Sequence, residues 1–201
     1  MRVPILKSTL GLLTINTVIA VSSFAQSVPA ATQQLQISMF GTATPVLTGF
    51  QTSANLDVGV GADIIFVGLQ RVKAGIEIRG SYPLADGDLT RQKSFVTGPV
   101  IQYPLGRLCP YADILFGRGA IDYLDGGYVS GGLDYIKSST FVYSPGIGVD
   151  YGITHHMSIK ADFQYQHWNV PVVLSGVIHT TMVSLGARYM FDFNPHHNRN
   201  R

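Results

Sequence analysis

Apolar and polar residues alternate along most of this chain. The clearest stretch runs from Val183 to Phe193: Val183, Leu185, Ala187, Tyr189, Phe191 and Phe193 share one strand face, while Ser184, Gly186, Arg188 and Asp192 share the other. A period of two predicts a strand with one apolar and one wet side. The same rule predicts seven earlier strands. The first sets Leu35, Ile37, Met39 and Gly41 against Gln36, Ser38 and Thr42, with Phe40 falling on the polar side. The second sets Leu56, Val58, Val60, Ala62 and Ile64 against Asn55, Asp57, Gly59, Gly61 and Asp63. The third sets Val72, Ala74, Ile76, Ile78 and Tyr82 against Lys73, Glu77, Arg79 and Ser81.

The fourth strand runs from about Phe95 to Tyr103, and Gly98 and Pro99 at its centre predict a bulge, because Pro cannot donate to a ladder. The fifth, about Tyr111 to Ile121, turns Ala112, Ile114 and Phe116 outward. It puts Arg118 on that same face unless Gly117 or Gly119 shifts the register. In the sixth, Phe141, Tyr143, Pro145, Ile147, Val149 and Tyr151 oppose Ser144, Gly146, Gly148 and Asp150. In the seventh, Met157, Ile159, Ala161, Phe163 and Tyr165 oppose Ser158, Lys160, Asp162, Gln164 and Gln166.

Eight such faces cannot all enter one soluble core of this size unless the sheet closes, and lipid is the simplest solvent for the outside. The fold class expected is all-β, an eight-stranded antiparallel up-and-down transmembrane β-barrel over residues 34–193. The connections alternate in length, long at 44–53, 83–94, 122–140 and 169–180 and short at 67–70, 104–110 and 154–156. With a periplasmic N-terminus, the long ones emerge outside. Tyr82, Tyr103, Tyr111, Tyr123, Tyr143, Tyr151, Tyr165, Trp168 and Tyr189 fall near strand ends, where amphipathic rings suit the headgroup level.

Targeting fits this reading. Arg2 and Lys7 precede an apolar stretch from Leu10 to Val21 and then Ser23-Phe24-Ala25, which predicts a signal peptide over 1–25 cleaved after Ala25. Residues 26–33 read as a short polar linker and 194–201 as a polar C-terminal tail. The remaining length of roughly 175 residues makes one domain. Only 13% of residues are charged and Gly is abundant at 22, so hydrophobicity is dispersed in short segments. The single Cys109 has no partner for an internal disulfide. A formal charge of +2 with scattered basic residues leaves no nucleic-acid footprint.

An eight-stranded barrel has a lumen only wide enough for side chains, so the inward set should be packed and hydrated, not an open channel. It carries Asp57, Asp63, Glu77, Asp113, Asp150 and Asp162 against Lys73, Arg79, Lys160 and Arg188, signs mixed enough for a buried polar network. A soluble periplasmic lipocalin-like lipid binder is the rival architecture. It would line the lumen with apolar residues, opposite to the third and seventh strands.

On these residues the chain resembles the small OmpA-type and OmpX-type outer membrane protein beta-barrel domains. The resemblance covers nearly the whole region after the leader. Its most specific residues are Ser184, Gly186, Tyr189 and Phe191, similar to the C-terminal signal read by the barrel assembly machinery, although here a tail follows the last aromatic. The resemblance implies the cell outer membrane, with contacts to outer-membrane lipid and lipopolysaccharide, a monomer, no nucleic acid and no cofactor.

Two small barrels of that membrane are enzymes, so catalysis is the alternative. His156-Met157-Ser158 is similar to the His-x-Ser pair of a lipid A deacylase. It falls at a periplasmic turn, Ile159 stands where that family has Asn, and no Glu follows. His155 with His156 and His196 with His197 lack a carboxylate or thiol set at ligand spacing. The expectation is no catalytic, cofactor or metal residue, and a structural role in envelope integrity. The outer loop at 122–140 combines Tyr with Gly, and Tyr123, Tyr128 and Tyr135 are its contact candidates for surface recognition.

Overall fold

The structure, a computed structural model, describes residues 35–49, 54–69, 71–85, 90–123, 127–130, 132–170 and 176–191. The expected leader (1–25), linker (26–33) and tail (194–201) lie outside the described residues.

Eight strands close into one antiparallel barrel: β1 (Gln36–Leu47), β2 (Ala54–Leu69), β3 (Val72–Ala85), β4 (Thr90–Gln102), β5 (Leu108–Tyr123), β8 (Lys137–Gly152), β9 (Met157–Asn169) and β10 (Val177–Phe191). Two short strands, β6 (Tyr128–Ser130) and β7 (Leu133–Tyr135), pair as a separate hairpin between β5 and β8. Each barrel strand pairs with its sequence neighbours in the ring, and β10 returns to β1, with Gly41 opposite Ala187. No strand edge is left open, which is what a sheet surrounded by lipid requires.

Alternation is the reason these segments are strands, and the burial pattern repeats it. Along β1 the lumen side holds Ser38, Phe40, Thr42, Thr44 and Val46, while Met39 and Leu47 are exposed. Along β8, Phe141, Tyr143, Ile147 and Tyr151 are exposed and Ser144 and Asp150 are buried. The ten steps from Phe141 to Tyr151 rise about 25 Å at ~3.3 Å per residue and a tilt of ~40°, the height of an outer-membrane apolar band.

At the end holding the first residue of β1 and the last of β10, the connections are two, five and four residues long. At the opposite end they are six, four, thirteen and seven. The long connection expected at 83–94 is thus shortened to four residues, because β3 continues to Ala85 and β4 begins at Thr90.

No bulge forms in β4. Gly98 and Pro99 keep the same register with β3, and the β4–β5 ladder resumes in phase at Val100. Pro99 faces outward and is exposed there. The irregularities lie instead between β2 and β3, at Leu56/Asp57 and Ile65/Val67. Neither Gly117 nor Gly119 shifts β5, whose register with β8 runs unbroken from Leu108 to Asp122.

Candidate functional site

The lumen contains two ion-pair centres. Arg79 on β3 lays a fork across Asp162 of β9, Nη1 to Oδ1 and Nη2 to Oδ2, both 3.0 Å, and its Nε donates to Glu77 at 2.9 Å. Lys160 lies 3.6 Å from Glu77 and stands over the rings of Tyr111, 3.8 Å to centroid, and Phe40, 4.5 Å. The Tyr111 hydroxyl donates to Asp162 at 3.2 Å. Phe40 breaks the sequence pattern to become the aromatic floor under two cations. The second centre is Arg188 of β10, which pairs with Asp150, with Asp63 at 2.6 Å and with Ser38 at 2.9 Å.

Both centres follow from burial. A guanidinium taken out of water must find carboxylates, and a planar fork satisfies two oxygens at once. Asp113 belongs to a neighbouring amide link: Gln164 donates to both its oxygens at 3.0 Å and accepts from Ser144 at 2.7 Å. Asp57 is buried on the lumen side of β2, away from these groups, with one carboxylate oxygen lacking a hydrogen bond. The structure thus gathers Glu77, Arg79, Lys160 and Asp162 into one cluster, and it places Asp150 with Arg188 in another. Asp113 and Asp57 stand apart.

The lumen is not polar throughout. Val96, Leu115, Ile121, Tyr123, Val142, Trp168, Val170 and Ile178 form a buried apolar cluster toward the loop end, centred on Trp168 at 1% exposure. Tyr111, Tyr123 and Trp168 therefore correct the girdle expectation. Each lies in phase with inward residues of its own strand, so proximity to the strand end does not bring it to the headgroups. Tyr82, Tyr103, Tyr143, Tyr151, Tyr165 and Tyr189 are outward and exposed.

Tyr123 is also removed from the loop contact candidates, being the last residue of β5 and 6% exposed. Tyr135 is half-buried and packs against the Trp168 cluster. The side chain of Tyr128 lies outside the described residues. In β6–β7, Val129 and Leu133 are exposed.

Ser184 bonds Thr44 across the β10–β1 seam at 3.0 Å. Gly186 lies against the Gly41 carbonyl with no room for a side chain. Tyr189 meets Phe191 edge-on at 5.1 Å. At the short turns, exposed His156 contacts the Met190 carbonyl at 3.3 Å, while Ser158 shares the lumen face of β9 with Lys160. Among the described residues no three His, Cys, Asp or Glu are arranged to hold a metal.

Sequence reasoning missed His167 and His179. They face each other across β9 and β10 on the outer surface with rings 4.9 Å apart, and Tyr165 stacks on His179 at 5.3 Å. Outward parity is legible for each; their meeting depends on the register. It also missed the rim trio in which Asp122 takes Lys93 at 3.0 Å and Lys137 at 3.5 Å. Partial burial pushes the Asp122 carboxyl up, but the Lys93 hydrogen bond and the two ammonium charges prevail and hold it below the usual carboxylate range. The same hydrogen bond raises Lys93.

No protein-family model and no curated protein matches the sequence. Solved structures do match. The fold is similar to Neisserial surface protein A (NspA), with a TM-score of 0.53 and 10% identity, covering 79% of this chain and 97% of that one. It is also similar to Ail, the attachment invasion locus protein of Yersinia pestis, with a TM-score of 0.51 and 16% identity over 79% and 99%. The shared property is the small outer-membrane β-barrel fold.

Proposed function

We propose that the chain is a monomeric, non-enzymatic outer-membrane barrel of the small OmpA/OmpX type, which supports envelope integrity and offers its longest loop for surface recognition. The leader over 1–25 delivers it, and the β10 residues Ser184, Gly186, Tyr189 and Phe191 present it to the barrel assembly machinery. One observation carries the reading: below the loop-end rim the outer wall is predominantly apolar, while Arg79, Lys160 and Arg188 are buried inside against carboxylates, the inverse of a soluble ligand-binding barrel. The filled lumen argues for a structural element over a diffusion pore. His156 and Ser158 diverge, one exposed at the turn and one on the lumen face, which favours a non-catalytic role.

Outer membranes run on SDS gels with and without boiling test the first part. A heat-dependent mobility shift in that fraction is expected, and recovery in the soluble periplasm without a shift overturns it. Deleting 126–132 tests the loop. Reduced adhesion, serum resistance or phage sensitivity supports recognition, and no change in any of them refutes it.

A further inference from the structure

The outer wall changes chemistry at its loop-end rim on three adjacent strands. Up β5 the outward residues run Ile114, Phe116, Arg118, Ala120, Asp122. On β4 Phe95 is followed by Lys93, and on β8 Phe141 is followed by Ser139 and Lys137. The register aligns these rows: Arg118 stands between Phe95 and Phe141, and Ala120 between Lys93 and Ser139. Because Ala120 and Ser139 are small, they leave a depression of about 340 Å³ lined by Tyr82, Lys93, Phe95, Arg118, Ala120 and Ser139. It is shallow and open on its outer side, a surface depression and not an enclosed pocket.

Charge and position narrow the occupant. Among the described residues Asp122 is shared by Lys93 and Lys137 and Arg118 forms no ion pair, so the cations at this rim outnumber the carboxylates. A lipid-facing arginine is costly at the bilayer midplane and nearly free of cost at the interface. Phe95 and Phe141 flank Arg118 and Phe116 lies directly below it, with Phe116 and Phe141 stacked at 6.5 Å, so Arg118 stands at the upper edge of the apolar wall, next to the headgroups. A guanidinium there matches a phosphate in geometry as well as charge.

We infer that this depression binds the phosphate of a phosphorylated glycolipid of the outer leaflet, held by Arg118 and Lys93, with Phe95 and Phe141 against the first acyl carbons. The site opens sideways and is continuous with the lipid-facing wall, which favours a lipid over a soluble polyanion. This rests on the outer-membrane reading above.

The test titrates bisphosphorylated lipid A, and separately its dephosphorylated form, into the purified full-length barrel in detergent micelles. Bound lipid is read by native mass spectrometry. Arg118→Gln and Lys93→Gln should each weaken binding about tenfold, the size expected for a lost charge-assisted hydrogen bond. Arg118→Lys should retain part of it, and Arg107→Gln, in an exposed turn at the opposite end, should leave it unchanged. Dephosphorylated lipid A should bind at least tenfold less tightly to the unaltered chain, a comparison independent of any variant's folding. Equal binding of the two lipids, an unaffected Arg118→Gln/Lys93→Gln double variant, or displacement by inorganic phosphate or dextran sulfate at equivalent concentration overturns the inference. A protein absent from the outer-membrane fraction would instead defeat the earlier reading, which the micelle titration does not measure.

Discussion

The space above the Cα of Gly119 on β5 is filled by the indole of Trp168 on β9, so no side chain can stand there. This contact seats the largest buried ring of the lumen against bare backbone. Gly119→Val should therefore destabilise the barrel by roughly 1–3 kcal/mol through overpacking. Trp168→Ala should cost roughly 3–5 kcal/mol by emptying the same space. Trp168 is the only tryptophan, so its fluorescence during urea unfolding in micelles reports directly on Gly119→Val. An unchanged midpoint with unchanged emission would show that the indole packs elsewhere.

Face parity made most of the barrel legible, and it was most informative where it conflicted with a positional rule. Tyr111 is in phase with Asp113, Tyr123 with Ile121 and Trp168 with Gln166, which decides their inward placement against their nearness to strand ends. At Ile64-Ile65-Phe66 the apolar run hides the period, and Ile65 is the residue that turns inward. Pro99 misled in another way: a residue without an N–H interrupts hydrogen bonds but need not add a residue to the strand. Ion-pair partners were the least legible, because Arg79 and Asp162 are 83 positions apart and meet across the lumen between strands that are not neighbours.

The Arg79 fork supplies the second prediction. Removing one partner of a buried ion pair leaves charge without compensation, so Arg79→Met should lose roughly 3–5 kcal/mol, with Asp162 deprived of its cation and Glu77 left to Lys160 alone. Adding Asp162→Asn should recover part of that loss. A double-mutant cycle on urea unfolding checks it, and strictly additive losses would show that the two side chains do not interact in the folded barrel.

Asp122 gives a pH dependence with a defined sign. Its folded-state pKa lies below its unfolded value, so the ion trio stabilises fully above the ordinary carboxylate range and loses that contribution as the pH falls through the lower value. The trio is partly exposed, so the contribution is at most about 1 kcal/mol and a site-specific probe is needed. Carboxyl-carbon NMR should find Asp122 titrating below the usual range, and Lys93→Gln should move it upward. A titration indifferent to Lys93→Gln would remove the hydrogen bond from the account.

Gly186 and Tyr189 share a C-terminal pattern in sequence yet do different work in the barrel, and this separates two readings of that pattern. A Cβ at Gly186 would meet the Gly41 carbonyl and the Thr42 backbone, where β10 closes on β1. Its smallness is thus a condition of closure itself, wherever folding takes place. Tyr189 points outward, exposed, with its contacts to Phe191 and His156 on the barrel surface, so closure does not depend on its ring. Gly186→Val should consequently abolish the heat-modifiable form both in cells and in refolding into detergent without any assembly factor. Tyr189→Ser should fold normally in detergent and fail in cells, because only there must a machinery read the strand. Normal assembly of Tyr189→Ser in cells would leave the β10 pattern with a packing role alone.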